Sequence, residues 1–193
     1  MKSDVIIVSN SGSKMEEALA EAEKVAAYKE LSRKNALHLR LLTEEMMGMM
    51  RSITGDTNGE FWVEDRDGVY ELHLRVRTLI DEEQRKQLIS ASTEGRNEAT
   101  SGLMGKIRGF FDVSAGVPVF RGMYMPGSAP AAESMVWSMA DYREQLDQYR
   151  EKNGEGAKEA WDELEKSVVA HAADDVKVSI RGRNVEMTIF RKM

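Results

Sequence analysis

Two short segments hold the residue types that could do chemistry. Thr43-Glu44-Glu45-Met46-Met47-Gly48-Met49-Met50-Arg51 places acids inside a Met-rich, otherwise apolar stretch. Ser101-Gly102-Leu103-Met104-Gly105-Lys106 is a small-residue turn that opens into helix-forming positions. Backbone N–H groups at a helix start hold anions, so Ser101, Gly102, Gly105 and Lys106 are candidate phosphate contacts. The bland alternative is a flexible loop ending in a helix start. The spacing is too short for a P-loop, and no Ser or Thr follows Lys106. Gly-x-x-Gly also clamps RNA in KH modules, but the acidic net charge and the strand order argue against that use. Glu44 is a candidate catalytic base. The commoner reading is a solvated helix-face acid paired with Arg40, four positions before it, or with Arg51 further along the same helix. Glycine inside a helix costs about 1 kcal/mol, so something offsets Gly48. Either a ligand approaches the backbone there or the helix needs packing room against a sheet.

The elements around these segments must position them. Val5 to Val8 is a short β-branched strand candidate, broken by Ser11-Gly12-Ser13. A helix is expected from Met15 to about Lys29, with a weak apolar face of Leu19, Ala22, Val25 and Ala26. Ser32 is placed to cap a second helix. In it Leu39, Leu42, Met46, Met49, Met50 and Ile53 recur at three- and four-residue steps, and Gly55 ends it. Phe61–Arg66 and Val69–Val76 follow, joined by Asp67-Gly68, a strong two-residue hairpin signal. Tyr70, Leu72, Leu74 and Val76 alternate with Glu71, His73 and Arg75, so one sheet face is buried and the other wet.

Further along, residues 81 to 90 read as a helix, 92 to 102 as a mobile polar loop and 105 to 111 as a helix start. Residues 113 to 130 carry all three prolines and read as an irregular crossing. Helices are expected over 131 to 152 and 157 to 172. Val176, Val178 and Ile180, then Val185, Met187 and Ile189, alternate around Gly182-Arg183-Asn184 as a terminal hairpin. No internal repeat is visible. The order fits an α+β, two-layer α/β sandwich on a mixed, mostly antiparallel sheet, with a helical insertion.

The bulk figures agree with one domain over 1–193. Hydrophobic residues make up 41% and charged ones 31% of 193 residues, as in soluble globular chains. No apolar run spans a bilayer, and no signal-peptide pattern stands at the start. Cysteine is absent, which fits the cytoplasm and removes thiolate chemistry. A net charge of −6 argues against nucleic acid as partner. The thirteen methionines fill irregular gaps or adaptable surfaces; core filling is the commoner role for those at 46 to 50. Met135, Trp137, Met139, Tyr142 and Tyr149 either cover the chain's own sheet or cleft, or form a dimer or partner surface. His38, His73 and His171 show no metal-ligand spacing, so no metal site is expected.

The order of elements, together with the two special segments, resembles the GHKL superfamily, the Bergerat or histidine-kinase-like ATPase fold. The nearest branch looks like the small anti-sigma-factor serine kinases. In that family a helix carries Glu-x-x-x-Asn, the Glu polarising a water and the Asn holding Mg²⁺. Glu44 matches the acid, and Gly48 stands at the position of the Asn. Gly59-Glu60-Phe61-Trp62-Val63 and Tyr70 to Val76 match the two strands that follow. The family's adenine-reading Asp-x-Gly-x-Gly is replaced here by Arg77-Thr78-Leu79-Ile80-Asp81. Ser101 to Gly105 resembles the second glycine box, and the hairpin 176 to 190 matches the closing one.

The match covers roughly residues 4 to 112 and 174 to 190, with 113–173 as the helical insertion. It implies a degenerate ATPase or serine-kinase relative, a regulatory protein working through protein contact. Glu44 is its catalytic candidate, and Gly48, Ser101, Gly102, Gly105 and Lys106 are its nucleotide contacts. The implied cofactor is ATP with Mg²⁺. The implied partner is a sigma factor or its antagonist, with a homodimer as a second option. The competing expectation is a pseudoenzyme or interaction scaffold that binds no nucleotide and fills its cleft with its own insertion.

Overall fold

The computed structural model describes residues 1–9, 12–54, 58–77, 135–151, 161–162, 164–165, 167–181 and 184–193. In chain order the elements are β1 (Ile6–Val8), α1 (Gly12–Tyr28), α2 (Arg33–Thr54), β2 (Gly59–Arg66), β3 (Val69–Arg77), β4 (Met135–Ser138), α3 (Met139–Glu151), α4 (Val168–Ala172), β5 (Asp175–Arg181) and β6 (Asn184–Lys192). The expected stop at Gly55 and everything expected between residues 78 and 134 lie outside the described residues.

The six strands form one sheet in the order β1-β2-β3-β6-β5-β4, antiparallel at every pairing. The helices pack on one face, giving the α+β two-layer sandwich. The order is mirrored about the β3–β6 seam. On each side an edge strand leads through helices into a hairpin, and the two hairpins meet at the centre.

Register follows from turn chemistry. Asp67 and Gly68 have φ of 55° and 83°, the two positive values of a type I′ turn, whose twist matches the strands it joins. That turn fixes Glu64 opposite Glu71 and Phe61 opposite Leu74. Alternation then sorts the faces. One row crosses the whole buried side: Ile6, Phe61, Leu74, Met187, Val178 and Trp137. It packs with Leu39, Leu42, Met46 and Met50 of α2 and with Ala18, Ala22 and Val25 of α1 in one core. The opposite side carries Glu60, Trp62, Glu64, His73, Arg75, Glu186 and Thr188.

Helix ends are explicit. Ser32 Oγ accepts the Asn35 N–H at 3.3 Å and starts α2. Past α1, the Leu31 N–H reaches Ala26 O at 3.0 Å and the Glu30 N–H reaches Ala27 O at 3.1 Å. This is a Schellman closure, with Glu30 at φ 50° in the position usually given to glycine. Leu31 folds back onto the core beside it. Lys29 then pairs with Asp65 of β2 at 2.5 Å, and the Gly68 N–H also bonds that carboxylate at 3.0 Å. Lys29 foremost holds the Asp65 carboxyl below the usual range.

Residues 131 to 152 do not form one helix. Met135–Ser138 is a strand on β5, and the helix begins only at Met139. The break is a cap. Ser138 Oγ accepts the Asp141 N–H at 3.3 Å, and Asp175 of β5 accepts the Ala140 N–H at 3.0 Å. Trp137, Met139 and Tyr142 are buried against the chain itself, so they act as intramolecular cover. Among the described residues no helix is long and apolar enough to cross a membrane.

Candidate functional site

The Met-rich helix α2 carries the first candidate segment. Its buried side holds Leu39, Leu42, Thr43, Met46, Met47, Met49 and Met50. All four clustered methionines are therefore core. Thr43 keeps its hydroxyl satisfied by donating to Leu39 O at 2.9 Å. The opposite side is a strip of Leu37, Arg40, Glu44 and Gly48, all exposed. Glu44 and Gly48 lie one turn apart, so the spacing of four does place them on one face.

Arg40 is not the partner of Glu44. It pairs with Glu23 of α1 instead. Among the described residues Glu44 has no ion-pair or hydrogen-bond partner, and its carboxylate faces outward. At Gly48 a Cβ would meet no described atom within 4 Å. Among the described residues, then, nothing packs against this glycine. Ser101, Gly102, Gly105 and Lys106 lie outside the described residues.

Beside this strip a groove of about 350 Å³ separates α2 from α4. It is lined by His38, Leu41, Ser167, Val168, His171 and Ala172. The His171 ring bonds Ser167 O through Nδ1 at 3.1 Å. Among the described residues, His38 Nδ1 is buried without a hydrogen-bond partner. Two imidazoles thus meet in one groove, although their positions in the chain gave no such hint.

The polar face of the sheet holds a second constellation that the sequence reading missed. Trp62 and His73, opposite each other on β2 and β3, stack with centroids 4.8 Å apart and planes 3° apart. Both are nearly closed off, at 4% and 7% exposure. Lys2 and Arg75 sit over the indole at 4.6 and 5.1 Å. His73 Nε2 lies 3.2 Å from Glu71 Oε2. Its Nδ1 lies 3.3 Å from Thr188 Oγ1 and 3.6 Å from Glu186 Oε1. Trp62 Nε1 donates to Glu64 Oε1 at 2.9 Å, and Arg66 donates to Glu64 Oε2 at 2.8 Å. The Arg66 bond first, then the indole N–H, drives the Glu64 carboxyl down to about 2. Arg66 also reaches Glu71 at 3.5 Å. Counting back from the Asp67-Gly68 turn would have put Glu64 beside Glu71, with His73 two residues on along the same face.

Against known proteins, no family model matches this chain and no curated protein matches it.

Proposed function

We propose that the chain is a cytoplasmic ATP-binding regulatory protein of GHKL (Bergerat) type. It acts through protein contact, in the manner of an anti-sigma factor, and catalysis is not its main work. The observation that carries this is the exposed strip of α2, where Glu44 and Gly48 stand one turn apart with no described atom close to the glycine. The antiparallel two-layer sandwich and the closing hairpin beside β3 support the same reading. In this reading Glu44 stands near the γ-phosphate or its water. Gly102 and Gly105 hold phosphates through backbone N–H groups, flanked by Ser101 and Lys106.

Weak or absent turnover follows from the residues themselves. Gly48 offers no side-chain ligand for Mg²⁺, and Arg77-Thr78-Leu79-Ile80-Asp81 lacks the adenine-reading pattern. Leu37, 63% exposed on the strip that carries Glu44, supports protein contact at this face. The partner in this reading is a sigma factor or its antagonist, with a second copy of the chain as the other option.

Thermal melting with millimolar ATP and Mg²⁺ tests the proposal. A ligand at a hundred times its Kd stabilises by about 2.7 kcal/mol, which raises the Tm of a chain this size by roughly 5–10 °C. Gly105→Glu should abolish that shift. No shift with the unaltered chain would remove nucleotide binding and leave the alternative, an interaction scaffold without nucleotide. Within residues 113–173, the described Trp137, Met139 and Tyr142 are buried around the β4 edge.

A further inference from the structure

Glu64, Glu71 and His73 lie on the sheet face turned away from α2, and we propose that they bind one zinc-type divalent cation. Each offers one donor atom, and the three donors lie within 4.8 Å of one another. In a tetrahedral site with bonds of about 2.0–2.1 Å, ligand atoms stand about 3.4 Å apart. The His73–Glu71 separation of 3.2 Å is already that size. The most distant pair needs to close by only about 1.4 Å to reach it, well within a rotation of either glutamate side chain.

The far side of the imidazole is arranged as metal-bound histidines are. Metal-bound histidines donate their other N–H to a carboxylate or similar acceptor, which fixes the ring and exposes the free nitrogen to the metal. His73 Nδ1 has Glu186 Oε1 at 3.6 Å and Thr188 Oγ1 at 3.3 Å. With Nδ1–H turned to that pair, the Nε2 lone pair faces the Glu71 carboxylate. Two lone-pair surfaces 3.2 Å apart require a proton or a metal ion between them. The Trp62 ring stacked on the imidazole holds it in this orientation.

The carboxylate pair points the same way. Glu64 and Glu71 are directly opposite across β2 and β3, where like charges repel. Cations offset that repulsion: Arg66 reaches the two carboxylates at 2.8 and 3.5 Å, and Lys2 Nζ lies 3.5 Å from Glu64 Oε1. The Arg66 side chain is 64% exposed, so a dication displaces it into water at little cost. Zn²⁺ with two carboxylates and a neutral imidazole is charge-balanced and leaves a fourth position for water.

Calorimetric titration of Zn²⁺ into the full chain, in a non-chelating buffer near pH 7, tests this. One equivalent is expected to bind. His73→Gln and Glu71→Gln should each weaken binding about ten-fold or more. Arg66→Ala should tighten it, because the cation that bridges both carboxylates is gone and only Lys2 is left on Glu64, while His38→Gln and His171→Gln should leave it unchanged. Melting curves establish that each variant folds, and Glu71→Gln decides the matter if His73→Gln does not. Absence of one-equivalent binding in both the unaltered chain and Arg66→Ala overturns the proposal. So does binding that survives Glu71→Gln undiminished.

Discussion

Replacing Gly48 by alanine separates what α2 does for the fold from what it does for a ligand. The residue sits in the interior of a 22-residue helix, on its outward strip, with no described atom within 4 Å of the added Cβ. Its φ is not among the positive values, so alanine adopts the same backbone without strain. The usual interior penalty of glycine is then simply removed. That gain is about 0.5–1 kcal/mol, from reduced freedom of the unfolded chain and better helix propensity. For a chain of this length each kcal/mol moves Tm by roughly 2–4 °C, so Gly48→Ala should melt about 1–4 °C higher. Circular dichroism at 222 nm or calorimetry measures it. If the same glycine is kept for close approach of nucleotide, the variant gains intrinsic stability while the ATP-induced shift shrinks. A fall in Tm would refute the reasoning, since it would mean that the face beside Gly48 is packed.

Two further outcomes follow from local geometry. Glu30 occupies the left-handed closing position of α1 at φ 50°, so Glu30→Gly should stabilise by about 1 kcal/mol, read as a higher urea midpoint with unchanged slope. Glu64 titrates at about 2 in the folded chain because of Arg66 and Trp62, against an ordinary value of 4.5. Its contribution is therefore fully present above pH 4.5 and is lost as pH falls towards about 2. Urea midpoints of the unaltered chain and Glu64→Gln should differ most above that window and converge at its acid end; a constant difference would contradict the assigned shift.

Much of the fold was legible because the signals were local. The three- and four-residue recurrence from Leu39 to Met50 marks a helix with one buried side, and that is how α2 packs. Asp67-Gly68 specified its turn and, through it, the register of eight residue pairs. The strand Met135–Ser138 was not legible as a strand. Four residues are too few to show alternation, and Met135, Met139 and Tyr142 happen to recur at helical steps. Ser138 followed by Asp141 was the available sign of a helix starting there. The mirrored arrangement about β3 and β6 was hidden too, since it rests on a pairing of distant segments and not on similar residues. At the candidate site, spacing alone put Glu44 and Gly48 on one face. It could not say whether that face was packed, nor that Arg40 would be taken by Glu23. The polar constellation around His73 was encoded by hairpin arithmetic, because its members are neighbours across strands and not along one.

The β3–β6 seam bears on how the molecule reaches this state. Its ladder runs from Val69 opposite Lys192 to Arg77 opposite Asn184, joining segments more than about a hundred positions apart. Closing so long a span costs chain entropy before any of its contacts form. Each three-stranded half therefore has to wait for the other, presenting the long open flank of its central strand to the surroundings. A second molecule's complementary half fits that flank equally well, so exchange of halves between copies is the misassembly this architecture must outrun.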